Sequence, residues 1–180
     1  MDTTTSSQAR EATTEVAPAS LARGLAALRI FMGLVLFANG VAKVFSAGGG
    51  VTISLGPYVA NLVDRGAARV ILQSNGASSQ LPLVPEVSAF LISLWPVLQW
   101  LVTAVELGVG LLLIVGLFTR GAALVGLVFQ LSLALVYFSS NRWMFEQPHE
   151  YVPLFILAVV PAGLAWGLDG RLRRAGRWPS

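Results

Sequence analysis

A single carboxylate deep inside an apolar segment is the strongest chemical signal in the sequence. Glu106 is the one charged residue between positions 87 and 118. A carboxylate is costly in hydrocarbon, so it needs a partner, a proton or water. One face of its helix is polar or small at helical spacing, with Gln99, Thr103, Glu106 and Gly110. We expect Glu106 either to exchange protons as a catalytic group or to lock helices together as an interhelical contact.

Two further apolar segments carry polar stripes that can face Glu106. In the first segment, Arg29 and Lys43 share a helical face with two glycines, and Asn39 lies beside that face. In the third segment, Gln130 lies at nearly the same depth in the membrane as Glu106. Arg29 either reaches toward Glu106 or extends back to the interface. The stripes predict one polar pocket or, alternatively, close packing of small residues. The candidate pocket residues are Arg29, Asn39, Lys43, Thr103 and Gln130.

Metal chemistry has little support in this sequence. The chain has no cysteine and one histidine, which excludes disulfides, iron–sulfur clusters and haem held by two histidines of this chain. His149 lies between Glu146 and Glu150 in a polar loop, where it can bind a metal, relay a proton or simply be solvated. We predict no metal site.

The composition indicates that these apolar segments lie in a lipid membrane. The chain has 180 residues, of which 55% are hydrophobic and 12% charged. A soluble domain of this size has too much surface to hide so much apolar material. This excludes a soluble globular enzyme, a disordered chain and a coiled coil, and it indicates an integral membrane protein.

We predict an all-α fold, a four-transmembrane-helix bundle with an outer-surface amphipathic helix between the first and second spans. Trp95-Pro96 indicates a helix start at 95–97, and 83–94 is expected to lie along the membrane surface. The predicted spans are 22–46, 97–118, 121–141 and 151–168, and the amphipathic helix is predicted at 57–73.

Loop charge sets the expected orientation and domain limits. The positive excess follows the last apolar segment, at Arg171, Arg173, Arg174 and Arg177. It favours both termini in the cytoplasm, and it indicates a membrane anchor rather than a nucleic-acid site. We expect a disordered cytoplasmic tail over 1–21, a membrane domain over 22–172 and a basic cytoplasmic tail over 173–180.

Three stretches resemble the DoxX/DoxD membrane proteins: RIFMGLVLFANGVAKVF, ELGVGLLLIVGLFTRGAAL and PAGLAWGLDGRL. The long segment after the first span is similar to the DoxD branch, the thiosulfate:quinone oxidoreductase subunit. The resemblance implies a four-helix bundle in a bacterial or archaeal plasma membrane, with Lys43, Glu106 and Arg120 at family-like positions.

Three functions are compatible with these residues. The first is a membrane subunit of a quinone-linked oxidoreductase system, with no covalently bound cofactor and with quinone bound between the spans. The second is a non-catalytic scaffold or adaptor for an oxidoreductase complex, and the third is a small-solute transporter. The expected partners are the lipid bilayer and a second oxidoreductase subunit or further copies of the chain, but no nucleic acid.

Overall fold

The protein is mostly helical in a computed structural model that describes residues 18–46, 48, 51–79, 81–138 and 148–176. Its helices are α1 (Pro18–Phe45), α2 (Arg65–Ala77), α3 (Val84–Ser93), α4 (Trp95–Val115), α5 (Thr119–Tyr137), α6 (Pro148–Val159) and α7 (Leu168–Arg174). Two short strands, β1 (Val51–Leu55) and β2 (Tyr58–Leu62), separate α1 from α2, and a 3₁₀ helix, Ala162–Leu164, precedes α7.

Three helices are long and apolar enough to cross a membrane. They cover Ala19–Phe45, Trp95–Val115 and Thr119–Tyr137, which lie within α1, α4 and α5. The protein is therefore a multi-pass membrane protein, as the first three apolar segments predict. α1 begins inside the tail predicted over 1–21, and the rest of that tail lies outside the described residues.

The fourth apolar segment forms a shorter helix than the sequence predicts. α6 has 12 residues, a length of about 18 Å against the roughly 30 Å of a hydrocarbon core. The chain then passes Pro161, which lacks an amide proton, and continues as the 3₁₀ helix. The count of four spans is not confirmed by helix length.

The segment after α1 corrects the all-α prediction. β1 and β2 form an antiparallel hairpin that pairs Val51 with Leu62 and Leu55 with Tyr58. Gly56, at φ 64°, supplies the left-handed turn residue between them. The helix predicted at 57–73 is therefore wrong at its start, because residues 58–62 are extended.

Asp64 fixes the start of the helix that follows. It is fully buried, and its carboxylate accepts hydrogen bonds from Ala67 N at 2.8 Å, Gly48 N at 2.9 Å and Ser46 Oγ at 2.6 Å. The first of these bonds caps α2. Arg65 then lies 4.5 Å from the centre of the Trp100 ring, a cation–π contact that holds α2 against α4.

α1 and α4 pack most closely of all the helices, because glycines remove side chains from their contact. A Cβ at Gly33 would lie 2.8 Å from Gly110 O, and one at Gly40 would lie 2.9 Å from Leu107 N. Gly33 contacts Gly110, and Gly40, further along α1, contacts Leu107, which is earlier in α4. The two helices are therefore antiparallel. α4 begins at Trp95, where Trp95-Pro96 predicts a start, and it ends at Gly116, a left-handed C-cap with φ 68°.

Candidate functional site

Glu106 forms an ion pair with Lys43. The Lys43 Nζ atom lies 2.9 Å from Glu106 Oε1, in a hydrogen bond, and 2.8 Å from Oε2. The same nitrogen donates to Val63 O at 2.8 Å. Lys43 is 2% exposed and Glu106 is 6% exposed, so the charges compensate one another inside the protein.

The direction of the two side chains explains why they meet. In any α-helix the Cα–Cβ bond tilts toward the N-terminus of that helix. Since α1 and α4 are antiparallel, Lys43 tilts toward the level of Glu106 and Glu106 tilts back toward the level of Lys43. Gly40, one turn before Lys43, lets α4 come close enough for the pair to form.

Asn39 and Lys43 hold the loop that covers this pair. Asn39 Oδ1 accepts a hydrogen bond from Val63 N at 2.9 Å, and Asn39 Nδ2 donates to Val35 O at 3.0 Å. With Lys43 bonded to Val63 O, both backbone groups of Val63 are bound by α1. The residue between β2 and α2 is therefore anchored directly beside Glu106.

A cavity of about 230 Å³ opens beside the ion pair. Gln130 reaches it from α5, and its Nε2 donates to Glu150 Oε2 on α6 at 3.3 Å. Apolar side chains such as Met32 and Phe129 line much of the wall. The polar lining residues are Asn39, Lys43, Glu106, Gln130, Tyr137, His149 and Glu150.

An apolar chamber of about 450 Å³ adjoins this cavity between α2, α3, α4 and α5. The two share six lining residues: Ala68, Leu72, Val102, Phe129, Leu133 and Val136. The space beside Glu106 thus has a polar end and an apolar continuation, the arrangement that an amphiphilic small molecule needs.

The predicted pocket residues fall into two groups. Asn39, Lys43 and Gln130 line the cavity with Glu106. Thr103 does not line it, because its hydroxyl donates to Gln99 O at 2.7 Å along the same helix. Thr103 is buried as part of the helix contact rather than as a pocket residue.

Arg29 lies far from Glu106, which corrects the expected convergence of the two. Its Nη1 donates to Ala162 O at 3.1 Å and Ala165 O at 3.3 Å, and its Nη2 donates to Trp166 O at 3.2 Å. Arg29 precedes Lys43 by 14 positions, roughly 21 Å of helix, and it tilts away from Lys43. It holds the chain between α6 and α7 and takes no part in the cavity.

Sequence reasoning missed the partner of Glu106 and the residues from α6. His149 and Glu150 were placed in a polar loop, whereas both line the cavity. The antiparallel register was readable in principle, because Gly33, Gly40 and Gly110 mark the close contact. In that register, the tilt of each side chain toward the N-terminus of its own helix brings Lys43, rather than Arg29, to Glu106. Glu146, the other carboxylate beside His149 in the sequence, lies outside the described residues.

A comparison with protein families matches residues 24–140, more than half of the chain, to DoxX. The chain belongs to the DoxX family. No curated protein and no solved structure matches it. The matched region covers most of α1 and all of α4 and α5, so the Lys43–Glu106 pair lies inside it, whereas His149 and Glu150 come from beyond it.

Within this DoxX chain, the site carries groups that can bind a polar molecule. No group of three or more histidine, cysteine, aspartate or glutamate side chains among the described residues could hold a metal ion. The cavity offers two carboxylates, one of them compensated by Lys43, together with two amides, an imidazole, a phenol and a large apolar wall. These groups can hydrogen-bond a polar ring and exchange a proton with it.

Proposed function

We propose that the chain is an integral membrane subunit of a quinone-linked oxidoreductase system and that it binds a quinone in the cavity beside Glu106. The observation that carries this proposal is the joined pair of spaces, a polar end at Glu106 and an apolar chamber that shares its wall. A quinone has the matching shape, because it consists of a polar ring and a long apolar tail.

The donors and acceptors at the polar end fit a quinone ring. Glu106 Oε2 lies in the ion pair but accepts no hydrogen bond from the described residues, so it can accept one from a ring hydroxyl. Gln130 has a second amide hydrogen beside the one given to Glu150, and His149 offers a ring nitrogen. An apolar cavity of about 150 Å³ already holds benzene, so about 230 Å³ accommodates a substituted ring.

The quinone would supply two-electron chemistry, and this chain would supply binding and a proton. The chain has no cysteine and one histidine, so the electrons would come from a partner subunit, from a bound organic cofactor or directly from the substrate. Reduction to the quinol takes two protons, so Glu106 would pass one proton to a ring oxygen, be reprotonated from water and pass the second, while Lys43 keeps the carboxylate compensated between exchanges. We further propose a DoxD-like role, with thiosulfate as the electron source, on the basis of the long segment between α1 and α4.

The proposal includes the membrane arrangement. α6 and the 3₁₀ helix run from Gln130, near the middle of α5, to Arg29 and Gly116 at the other end of the bundle. We propose that this segment completes a fourth crossing, with both termini in the cytoplasm of a bacterial or archaeal cell. The arginines of α7 favour that orientation.

A second function, a non-catalytic scaffold, is favoured by one specific observation. The Lys43 ammonium group donates to Glu106 Oε1 and to Val63 O, and it also lies 2.8 Å from Glu106 Oε2. Such a tightly held pair is what a structural lock between helices requires. In that case the pair holds α1, α4 and the Val63 loop in place for a partner oxidoreductase.

The test is the quinone content of the purified full-length chain. Leu133 lines both spaces, so Leu133→Trp fills them, whereas Leu124→Trp makes the same change on an exposed face of the same helix. Solvent extraction and mass spectrometry measure the quinone that each purified protein carries. We expect wild type and Leu124→Trp to carry quinone, and Leu133→Trp to carry at least about tenfold less, which corresponds to the loss of one strong contact. Equal quinone in all three proteins would reject the site.

A further inference from the structure

A separate cavity lies at the far end of α4 and α5 from the ion pair, and we call it the arginine notch. It has a volume of about 130 Å³ and lies where α5 begins, against the 3₁₀ helix and α7. Its lining residues are Thr119, Arg120, Pro161, Gly163, Leu164, Asp169 and Arg173. None of them lines the cavity beside Glu106.

One buried polar atom in the notch lacks a partner. Thr119 is 1% exposed, and its Oγ1 atom has no hydrogen-bond partner among the described residues. A buried hydroxyl without a partner is costly, and such groups in folded proteins usually serve a ligand or water. Because Thr119 lines the notch, its hydroxyl is available to a group bound there.

The carboxylate in the notch is already compensated. Asp169 accepts hydrogen bonds from Phe118 N at 2.8 Å and Thr119 N at 3.0 Å, which cap the start of α5. Arg29 also attracts it electrostatically from the buried side. Asp169 therefore acts as a helix cap, and its charge does not exclude an anion from the notch.

The two arginines of the notch keep donors for a ligand. Arg120 uses Nε to donate to Ala158 O at 3.1 Å, which leaves both of its Nη groups without an acceptor in the described part of the chain. Arg173 makes no side-chain hydrogen bond or ion pair within the same residues. Two guanidinium groups that face one small cavity match the oxygens of a phosphate group.

We propose that the arginine notch binds a phosphate group and that this phosphate belongs to an anionic phospholipid. The notch lies at the end of a membrane-spanning helix, the level at which head groups lie. Leu164, which lines the notch, is exposed, and so are Phe118, next to Thr119 in the chain, and Trp166; these apolar side chains suit the adjoining acyl chains and interface. This site is independent of the quinone proposal.

The first test compares two double variants of the purified full-length chain. Arg120→Gln/Arg173→Gln removes the notch arginines, and Arg171→Gln/Arg174→Gln removes the same charge from α7 outside the notch. We expect the notch pair to weaken binding of short-chain phosphatidylglycerol at least about tenfold more than the control pair, because it removes charged hydrogen bonds. Equal losses would mean diffuse charge attraction and would overturn the site.

Two ligand arms identify the source of the phosphate. Short-chain phosphatidylcholine, which has no net charge, is expected to bind at least about tenfold more weakly than phosphatidylglycerol. Inorganic phosphate is expected to compete only weakly, because it lacks the acyl chains. Equal binding of both lipids would overturn the proposal, and tight notch-dependent binding of phosphate without phosphatidylglycerol would overturn the lipid assignment.

Thr119→Val separates a ligand role from a structural one. Valine keeps the shape and removes a hydroxyl that bonds to nothing in the described protein, so the lipid-free Tm should stay equal or rise. The affinity for phosphatidylglycerol should fall about fivefold, the value of one neutral hydrogen bond. An unchanged affinity would show that the hydroxyl does not touch the lipid and would contradict this part of the proposal.

Discussion

Lys43 and Glu106 lie 63 positions apart in the chain, and they form a buried ion pair with Nζ–Oε distances of 2.8 and 2.9 Å. The pair connects the tightest helix contact of the bundle to the cavity that an amphiphilic ligand would enter. Structure and candidate chemistry therefore depend on the same two side chains, and the experiments below separate them.

The first prediction concerns the stability that the pair provides. Lys43→Met and Glu106→Leu each leave one buried charge without its partner, so each should lower the free energy of unfolding by about 3–5 kcal/mol. The double variant removes both charges and should cost much less than the sum of the two. Unfolding in mixed detergent measures all three. Additive losses would show that the two charges do not interact.

The second prediction concerns Arg29. Arg29→Ala removes the charged donor to three backbone carbonyls, one of them buried and two partly buried, so it should destabilise the protein by about 3 kcal/mol. Arg23→Ala, on an exposed part of the same helix, should change stability by less than about 0.5 kcal/mol. Thermal unfolding provides the comparison. We also expect quinone binding per folded molecule to be the same in both, since Arg29 lies outside the cavity.

The third prediction tests the contact between α1 and α4 with two neighbouring glycines. A Cβ at Gly110 would lie 2.6 Å from Phe37 N, whereas a Cβ at Gly108 meets nothing within 4 Å. Gly110→Ala should therefore destabilise the bundle by about 1–3 kcal/mol. Gly108→Ala should be neutral or stabilising by up to about 1 kcal/mol through helix propensity. The same response in both variants would contradict the packing described here.

Much of the fold is readable from the sequence, because the signals are local. Trp95-Pro96 marks the start of α4, and long apolar runs mark the three spanning helices. The hairpin is missed because Val59 and Leu62 also fit helical spacing. Better signals were Gly56-Pro57 between two five-residue segments in which apolar and small or polar residues mix, VTISL and YVANL, and Asp64 as the cap before Arg65.

The site is only partly readable, because its decisive contacts depend on direction and register. The helical rise per residue predicts that Glu106 and Gln130 lie at one level of the membrane, and both line the cavity. It also assigns Arg29 to Glu106, because residue spacing ignores the tilt of side chains along the helix. The contact of Lys43 with Val63 O was not predictable, since it depends on where the hairpin places a loop backbone.

The fourth prediction separates the quinone subunit from the scaffold. Glu106→Gln retains the size of the side chain and removes its proton exchange, so quinone reduction that depends on this chain should fall about a hundredfold in membranes of the native host. Because Gln leaves the Lys43 charge uncompensated, Lys43→Met/Glu106→Gln is the matched variant for stability. Full activity in that double variant would favour the scaffold.

The most direct test of the central claim is photolabelling with a light-activated quinone analogue in native membranes, followed by peptide mapping. The account predicts labels on cavity residues such as Met32 and Gln130, and an excess of unlabelled quinone should remove these labels. Labels confined to outward-facing residues such as Leu124 and Val128, unchanged by excess quinone, would contradict the quinone site.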